Sequence, residues 1–489
     1  MGPADVPEVG SLISDPRIGP GSRSKRPVGP FTAAERVRLG KKARLDVPLA
    51  QHGEWAPPSG RPDPISLLES QAESRIPELV PIRYGRMLVS PFSYYRGAAL
   101  PMTEDLATTA VTGFDAQLCG DAHMSNFGVF GSPERHLFFD VNDFDETGPG
   151  PWEWDIKRLG ASLEIAAREN GFSRKARARI VRRAARSYRQ TMRELAVVPM
   201  MSVWYAHLDV EAILPRFSAL LDPKRTPKVW SAINKARAHD SHQAFDKLCY
   251  VLDGETRIIH DPPLIVPIEE FVTGLDPDLA KDMLSRIVRA YRRTLQPDRR
   301  HLLEQYELAH LARKVVGVGS VGTDAWIALF LAREDGSPLF LQIKEAQASV
   351  LERFTSKGKF SNHGQRVVVG QRLVQAASDI FLGWERFAWG GVERDYYFRQ
   401  LRDWKGSVDV NGMTPEGMDV WGRMCGWTLA RAHARSGDRI AIGAYLGKSD
   451  TFDVAITEFS AAYADTNERD HALLQQAVDN GQIIADTGI

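Results

Sequence analysis

From Arg313 to Ala346 the chain changes character abruptly, and this stretch constrains the fold more than any other. Arg313-Lys314-Val315-Val316 runs into Gly317-Val318-Gly319-Ser320-Val321-Gly322, then Thr323 to Ala332, a turn at Arg333-Glu334-Asp335-Gly336-Ser337-Pro338, and Leu339 to Ala346. Apolar, β-branched and aromatic residues on either side of glycine- and proline-bearing turns predict strand, glycine loop, strand, turn, strand. Gly317, Gly319 and Gly322 spell G-x-G-x-x-G, a string that cradles a dinucleotide only where it opens a helix. Here it leads into Thr323-Asp324-Ala325-Trp326-Ile327-Ala328-Leu329-Phe330-Leu331, which reads as a strand ending at a hairpin-like turn, so a doubly wound dinucleotide unit is disfavoured.

Upstream the pattern is mostly helical. Helices are predicted at Ile65 to Ser74, Trp154 to Asn170, Ser173 to Leu195, Val210 to Leu221, Pro227 to Leu248 and Asp278 to Ala312, with a strand-like stretch at Thr256 to Val266. The arginines of the Ser173 helix read as a solvated face rather than a nucleic-acid surface. Downstream, a helix is predicted at Gly364 to Ile380, a strand at Tyr396 to Asp403 and a helix at Gly417 to Ser436. Residues 1–63, rich in Pro, Gly, Ser and Arg with one amphipathic patch from Phe31 to Leu45, predict a loosely ordered arm. The expected organisation is this arm, a helical large lobe over 64–312, a β-rich small lobe over 313–405, and C-terminal helices over 406–489 that complete the large lobe. The fold class is α+β.

Lys plus Arg and Asp plus Glu each number 62, so no global field favours nucleic acid or an anionic membrane. The three cysteines, Cys119, Cys249 and Cys425, are too few for a disulfide framework or a cysteine zinc site and fit a reducing compartment. No apolar run approaches the ~20 residues of a membrane span, and the N-terminus lacks a secretory apolar stretch. A cytoplasmic location is expected; the oligomeric state is silent.

The chemistry concentrates in Gly120-Asp121-Ala122-His123-Met124-Ser125-Asn126, followed by Asn142-Asp143-Phe144-Asp145-Glu146 and Trp154-Asp155. An aspartate can take the proton of an attacking hydroxyl, and an asparagine carbonyl with a second carboxylate can hold magnesium against phosphate oxygens. Phe138 to Asn142 reads as a short strand delivering Asp143 at its end, before the turn at Gly148-Pro149-Gly150-Pro151. Arg83, Arg86 and Arg96, among Phe92, Tyr94 and Tyr95, either grip a phosphate-bearing ligand or serve as ion-pair partners.

The Asp121 segment resembles the catalytic loop of aminoglycoside, choline and homoserine kinases, where an aspartate precedes a metal-binding asparagine by five residues. That resemblance implies Asp121 as catalytic base, Asn126 and Asp143 as metal ligands with Asp145 as a further candidate, and Asp155 as a buttress. Cys119 stands where those kinases carry histidine. The strand, glycine loop and lysine-bearing strand resemble the small lobe of protein-kinase-like enzymes. This implies ATP as cofactor, with Gly317, Gly319, Ser320 and Gly322 over its phosphates, Lys344 in contact with them, and Gln400 at an interlobe hinge. Lys344 also has a plain reading as an edge-strand lysine that discourages aggregation. The Gly364 helix offers no glutamate to orient Lys344, leaving Glu345 and Glu352 as substitutes. His433, in Ala432-His433-Ala434, reads as packed or solvated.

In such kinases the glycine loop precedes the catalytic loop; here it follows, so the resemblance implies a two-lobe kinase-like fold in circularly permuted order. The pattern as a whole, including Pro91 to Gly97, Gly120 to His123, Asn142 to Glu146, Gly317 to Gly322, Lys344 to Ala346, Arg399 to Leu401 and Ala432 to Arg435, also resembles the bacterial family named domain of unknown function 2252. The leading expectation is an ATP- and Mg2+-dependent phosphotransferase acting on a hydroxyl of a small molecule. Nucleotidyl transfer on the same fold, a non-catalytic nucleotide-binding regulator, and a metal-dependent hydrolase built on Asp121, His123, Asp140 and Asp143 are the alternatives.

Overall fold

The computed structural model describes residues 31–212, 241–272, 277–315, 317–356, 358–389, 391–401, 404, 406 and 409–488. Most of the Val210 to Leu221 and Pro227 to Leu248 predictions, and the arm up to residue 30, lie outside these residues. The architecture is mixed α+β: a helical body and a six-stranded sheet.

The body forms around helices Trp152–Glu169, Arg174–Leu195, Pro415–Ser436 and Thr451–Asp479. In the second of these, Ile180, Val181, Ala184, Ala185, Tyr188, Met192 and Leu195 are buried, while Arg174, Arg179, Arg182, Arg183 and Arg186 are exposed. This is the helical period at work, one apolar stripe inward and a charged face in water. Tyr188 stacks on Trp152 with ring centroids 5.6 Å apart, near the centre of the largest apolar cluster.

The N-terminal region departs from its expectation. Residues 33–46 form a helix, and Leu49 and His52 beyond it are buried. The Thr32 hydroxyl accepts the Glu35 N–H while the Glu35 carboxylate takes the Thr32 N–H at 2.6 Å, a reciprocal cap that gives the helix a defined start. Gly40 then allows close docking: a β-carbon there would lie 2.1 Å from the Ala441 carbonyl oxygen. Composition marked this stretch as loose, but capping and one helix-to-helix contact outweigh it.

The sheet runs Gly383–Trp389, Val392–Gln400, Pro338–Ala346, Ala325–Ala332, Tyr306–Lys314, Ile265–Pro267, with every neighbouring pair antiparallel. Helix His363–Val374 is inserted between the third strand in this order and the edge strand Gly383–Trp389. The single helix expected over 278–312 is instead Pro277–Arg293, Pro297–Leu303 and strand Tyr306–Lys314. Pro297 disfavours helical backbone in the residue before it. Tyr306 to Lys314 is rich in helix-forming Glu, Leu, Ala and Arg, but pairing with Ala325–Ala332 overrides that propensity. No described helix is long and apolar enough to cross a membrane.

The Trp152–Glu169 helix buries two groups whose titration shapes stability. Glu153 is fully buried and accepts the Thr112 N–H at 2.8 Å; burial, partly opposed by the Thr112 hydrogen bonds, pushes its carboxyl up from 4.5 to about 7. Lys157, one turn on, lies 4.9 Å from the Phe459 ring centroid, and burial pulls its ammonium down to about 8. Because the folded state binds the Glu153 proton more tightly than the unfolded chain does, that group's contribution to stability is present below pH 4.5 and is lost as pH rises through about 7. Wild type is therefore expected to lose about 2 kcal/mol relative to Glu153→Gln between pH 5 and 7.5, read from urea midpoints at the two pH values. Parallel pH profiles for the two proteins would contradict the assignment.

Candidate active-site cleft

Strand Asp115–Leu118 pairs with Gly148–Pro151 and delivers the chain into the Gly120 to Asn126 loop. Gly120 turns there with φ +81°, and a β-carbon would meet the Glu146 carbonyl oxygen at 2.2 Å, so only glycine fits. Asp155 fixes this turn from below. Its carboxylate accepts the N–H groups of Cys119 at 2.7 Å and Gly120 at 3.1 Å, and His433 Nε2 lies 3.2 Å from it. His433 is wholly buried, with Nδ1 2.8 Å from the Tyr188 hydroxyl, so it is a packed positioning residue. Burial and the adjacent Asp155 charge push the Cys119 thiol well above its usual range, which removes it as a nucleophile.

Asp121 leaves this turn with Oδ1 2.7 Å from Arg158 Nη2. Arg158 is itself buried, 3.9 Å from the Tyr95 ring centroid and donating to the Tyr95 carbonyl at 2.8 Å. His123 Nε2 lies 3.7 Å from Asp121 Oδ2; burial lowers its pKa to about 3, so the ring is neutral. Asn126 Nδ2 donates to the Asp121 carbonyl at 2.8 Å, leaving Oδ1 as the asparagine atom available to a ligand.

Strand Leu137–Val141 pairs with Phe127–Gly131, and the Asn142 N–H donates to the Asn126 carbonyl at 2.8 Å. That ladder sets Asn126 beside the turn carrying Asp143 and Asp145. Asp143 accepts the Asp145 N–H at 3.2 Å, and no side chain among the described residues pairs with its carboxylate. Asp145 is fully engaged: Tyr397 Oη donates at 2.6 Å, Ser320 Oγ at 2.9 Å, and the Lys344 ammonium forms an ion pair with it. Burial works against that charge, but Lys344 and the Tyr397 hydrogen bond overcome it and hold the carboxyl below its usual range. Lys344 in turn is held above its usual value, Asp145 outweighing burial.

Lys344 arrives from strand Pro338–Ala346, where it pairs with Tyr397 as Gln342 pairs with Arg399. The two-residue period of strands puts these four side chains on one face. The same period turns Gln400 away: its N–H donates to Asp379, and it lines a separate pocket of about 70 Å³. The hinge role expected for Gln400 at the nucleotide is therefore not where the structure places it. Gly317, Gly319 and Ser320 line the cleft, with Val318–Ser320 forming one 3-10 turn whose Gly319 carbonyl accepts from Arg75 at 3.0 Å. Gly322 does not line it; φ +89° and packing against Arg75 make it the turn residue that ends the loop.

Neither substitute glutamate reaches Lys344. Glu345 accepts the Asp324 N–H at 2.9 Å, and Glu352 lies 3.7 Å from Arg366. Helix His363–Val374 supplies Arg366 instead, which ties the Asp145, Thr147 and Gln347 carbonyls together. Asp140, considered for a hydrolase, points into the core toward Arg431 and accepts the Ala376 N–H at 2.9 Å. Arg83 is likewise structural, bonded to Gln71 and the Gly97 carbonyl.

The result is one cleft of about 1010 Å³ lined by Asp121, Asn126, Asp143 and Asp145 from one part of the sequence and Gly317, Gly319, Ser320 and Lys344 from another. Lys344 and Asp145 meet although 199 positions separate them. Among the described residues, no three His, Cys, Asp or Glu side chains group so as to hold a metal by themselves. A cation at Asp143 and Asn126 Oδ1 would have to share oxygens with a bound ligand.

Residues 75–477 match the family described as "Uncharacterized protein conserved in bacteria (DUF2252)". The chain belongs to that family. No curated protein and no solved structure matches it. The DUF2252 match takes in Asp121, Asn126, Asp143, Asp145, Gly317 to Ser320, Lys344 and Arg399.

Sequence reasoning missed Arg158, Tyr397 and Arg399. Arg158 was findable as the residue three after Asp155 on the same helix face, and Tyr397 and Arg399 as alternate positions of one strand.

Proposed function

We propose that this protein is an ATP- and Mg2+-dependent phosphotransferase acting on a hydroxyl of a small molecule, built on a kinase-like architecture in circularly permuted order. The observation that carries the reading is the convergence of a glycine loop and a buried lysine with an Asp, Asn and Asp set in one cleft, from segments far apart in sequence. The antiparallel sheet bearing Lys344, with a helix inserted after that strand, supports it further.

In this reading Asp143 and Asn126 Oδ1 hold magnesium together with phosphate oxygens; the ion neutralises charge on those oxygens when bound. Lys344 and the Gly317 to Ser320 backbone orient the phosphates. Asp121 receives the acceptor's hydroxyl proton, presenting Oδ2 while Arg158 fixes Oδ1. Asp145 keeps Lys344 placed, the task a helix glutamate would otherwise have.

The test is incubation with magnesium, a pool of hydroxyl-bearing metabolites, and ATP labelled at either the α or the γ position. Label from the γ position is expected on a small acceptor, with ADP as co-product. Label from the α position on the acceptor would establish nucleotidyl transfer instead. Tight ATP binding without any turnover would favour the non-catalytic regulator.

A further inference from the structure

Most charged side chains lining the cleft are held by neighbouring groups. Lys344 pairs with Asp145, and Asp121 with Arg158. Arg75 is spent on loop carbonyls, and Arg399 donates to Gln342 at 2.9 Å and to the Asn142 carbonyl at 3.2 Å. Arg353 reaches Glu104 at 3.4 Å, and Lys314 is engaged as well. Three are left without a side-chain partner among the described residues: the anions Asp143, already assigned to a cation, and Glu146, which accepts the Val350 N–H at 2.7 Å, and one cation, Arg96.

Among the described residues Arg96 has neither an ion pair nor a side-chain hydrogen bond, and its Nε is both buried and unpartnered. It sits in the last turn of helix Pro91–Gly97 and lines the cleft. Its own carbonyl oxygen lies 3.2 Å from where a Gly319 β-carbon would stand, so its backbone abuts the glycine loop. Asp121 is the carboxylate whose field acts on it, and Arg96 in turn acts on the neutral His123, whose Nδ1 also lacks a partner. A guanidinium half-removed from water with its fork unfilled is costly unless a ligand fills it.

We propose that Arg96 is the seat of an oxyanion, a phosphate or carboxylate group, bound in the corner between the glycine loop and Asp121. This rests on the phosphotransferase reading for its source: either the acceptor is itself anionic, or the group seated is the nucleotide's terminal phosphate.

Calorimetry on wild type and Arg96→Gln separates these, using ADP, the β,γ-imido analogue of ATP, and inorganic phosphate added to the Mg·ADP-loaded protein. ADP affinity is expected to be equal in both proteins. If the anion is the terminal phosphate, the preference for the imido analogue over ADP falls about 10- to 100-fold in the variant. If it belongs to the acceptor, both nucleotides bind as before and phosphate affinity falls by that factor. Arg96→Lys, which keeps the charge and loses the fork, is expected to recover part of the loss and serves if the glutamine variant does not fold. Unchanged affinities throughout, or an equal fall for ADP and every other probe, would overturn the proposal. Absence of nucleotide binding in wild type would instead strike the phosphotransferase reading, while a phosphate site lost in Arg96→Gln would still stand.

Discussion

Asp143→Ala is expected to lower magnesium-dependent ATP turnover by roughly 100-fold or more while leaving the fold intact. Its carboxylate takes one backbone N–H and no side-chain hydrogen bond, so its removal breaks no direct ion pair, although its field also acts on Lys344 and Arg399. The loss falls on the ligand, because Asp143 lines the cleft and no side chain among the described residues hydrogen-bonds or ion-pairs with its carboxylate. Asp145 makes the contrast: its removal would leave the Lys344 ammonium buried without a counter-charge, so its effect on turnover would be mixed with one on folding. Measuring turnover together with the thermal midpoint separates the two cases. Full turnover in Asp143→Ala would sink the metal assignment.

Asp155→Ala is expected to cost about 3–5 kcal/mol of stability, a large part of the ~5–15 kcal/mol that holds a typical domain together. The residue is 1% exposed and its carboxylate serves three partners at once: two consecutive backbone N–H groups and, through Nε2, His433. Alanine leaves the buried Cys119 amide and the half-buried Gly120 amide without that acceptor. The same loss would free the Gly120 turn, so activity should fail even where the protein remains folded. Urea unfolding monitored by tryptophan fluorescence reads the first effect. A cost below ~1 kcal/mol would mean that the loop is held by something other than Asp155.

What the sequence made legible was local. Phe138 to Asn142 reads as a short strand that delivers Asp143 at its end, and the strand is there at Leu137–Val141; glycines between apolar runs mark the loop at 317–322. What it hid depends on partners distant in the chain. Tyr306 to Lys314 becomes a strand only because Ala325–Ala332 lies beside it. Lys344 lacks a helix glutamate, and nothing local says that Asp145, on a turn in another part of the chain, takes that place. Gln400 was placed by analogy where the strand's own alternation would have chosen Arg399. For the arginines before Gly97 the sequence left two readings open. Placement decides between them for two: Arg83 is wholly buried with Nη2 bonded to Gln71 and the Gly97 carbonyl, whereas Arg96 lines the cleft.

The sheet is inserted between two halves of the body it leans on. Helix Pro415–Ser436 packs against Arg174–Leu195 along much of its length, yet roughly 220 residues are made between them, about 10–40 s of synthesis at ~5–20 residues per second. For that interval Ala184 and Tyr188 emerge without the Gly422, Gly426 and His433 surface that finally packs on them, while the strands Tyr306–Lys314, Ala325–Ala332 and Pro338–Ala346 are near neighbours in sequence and close by short connections. Biogenesis thus runs opposite to the site's logic: the aspartate loop is translated first but acquires its rigid floor last, when His433 arrives beneath Asp155.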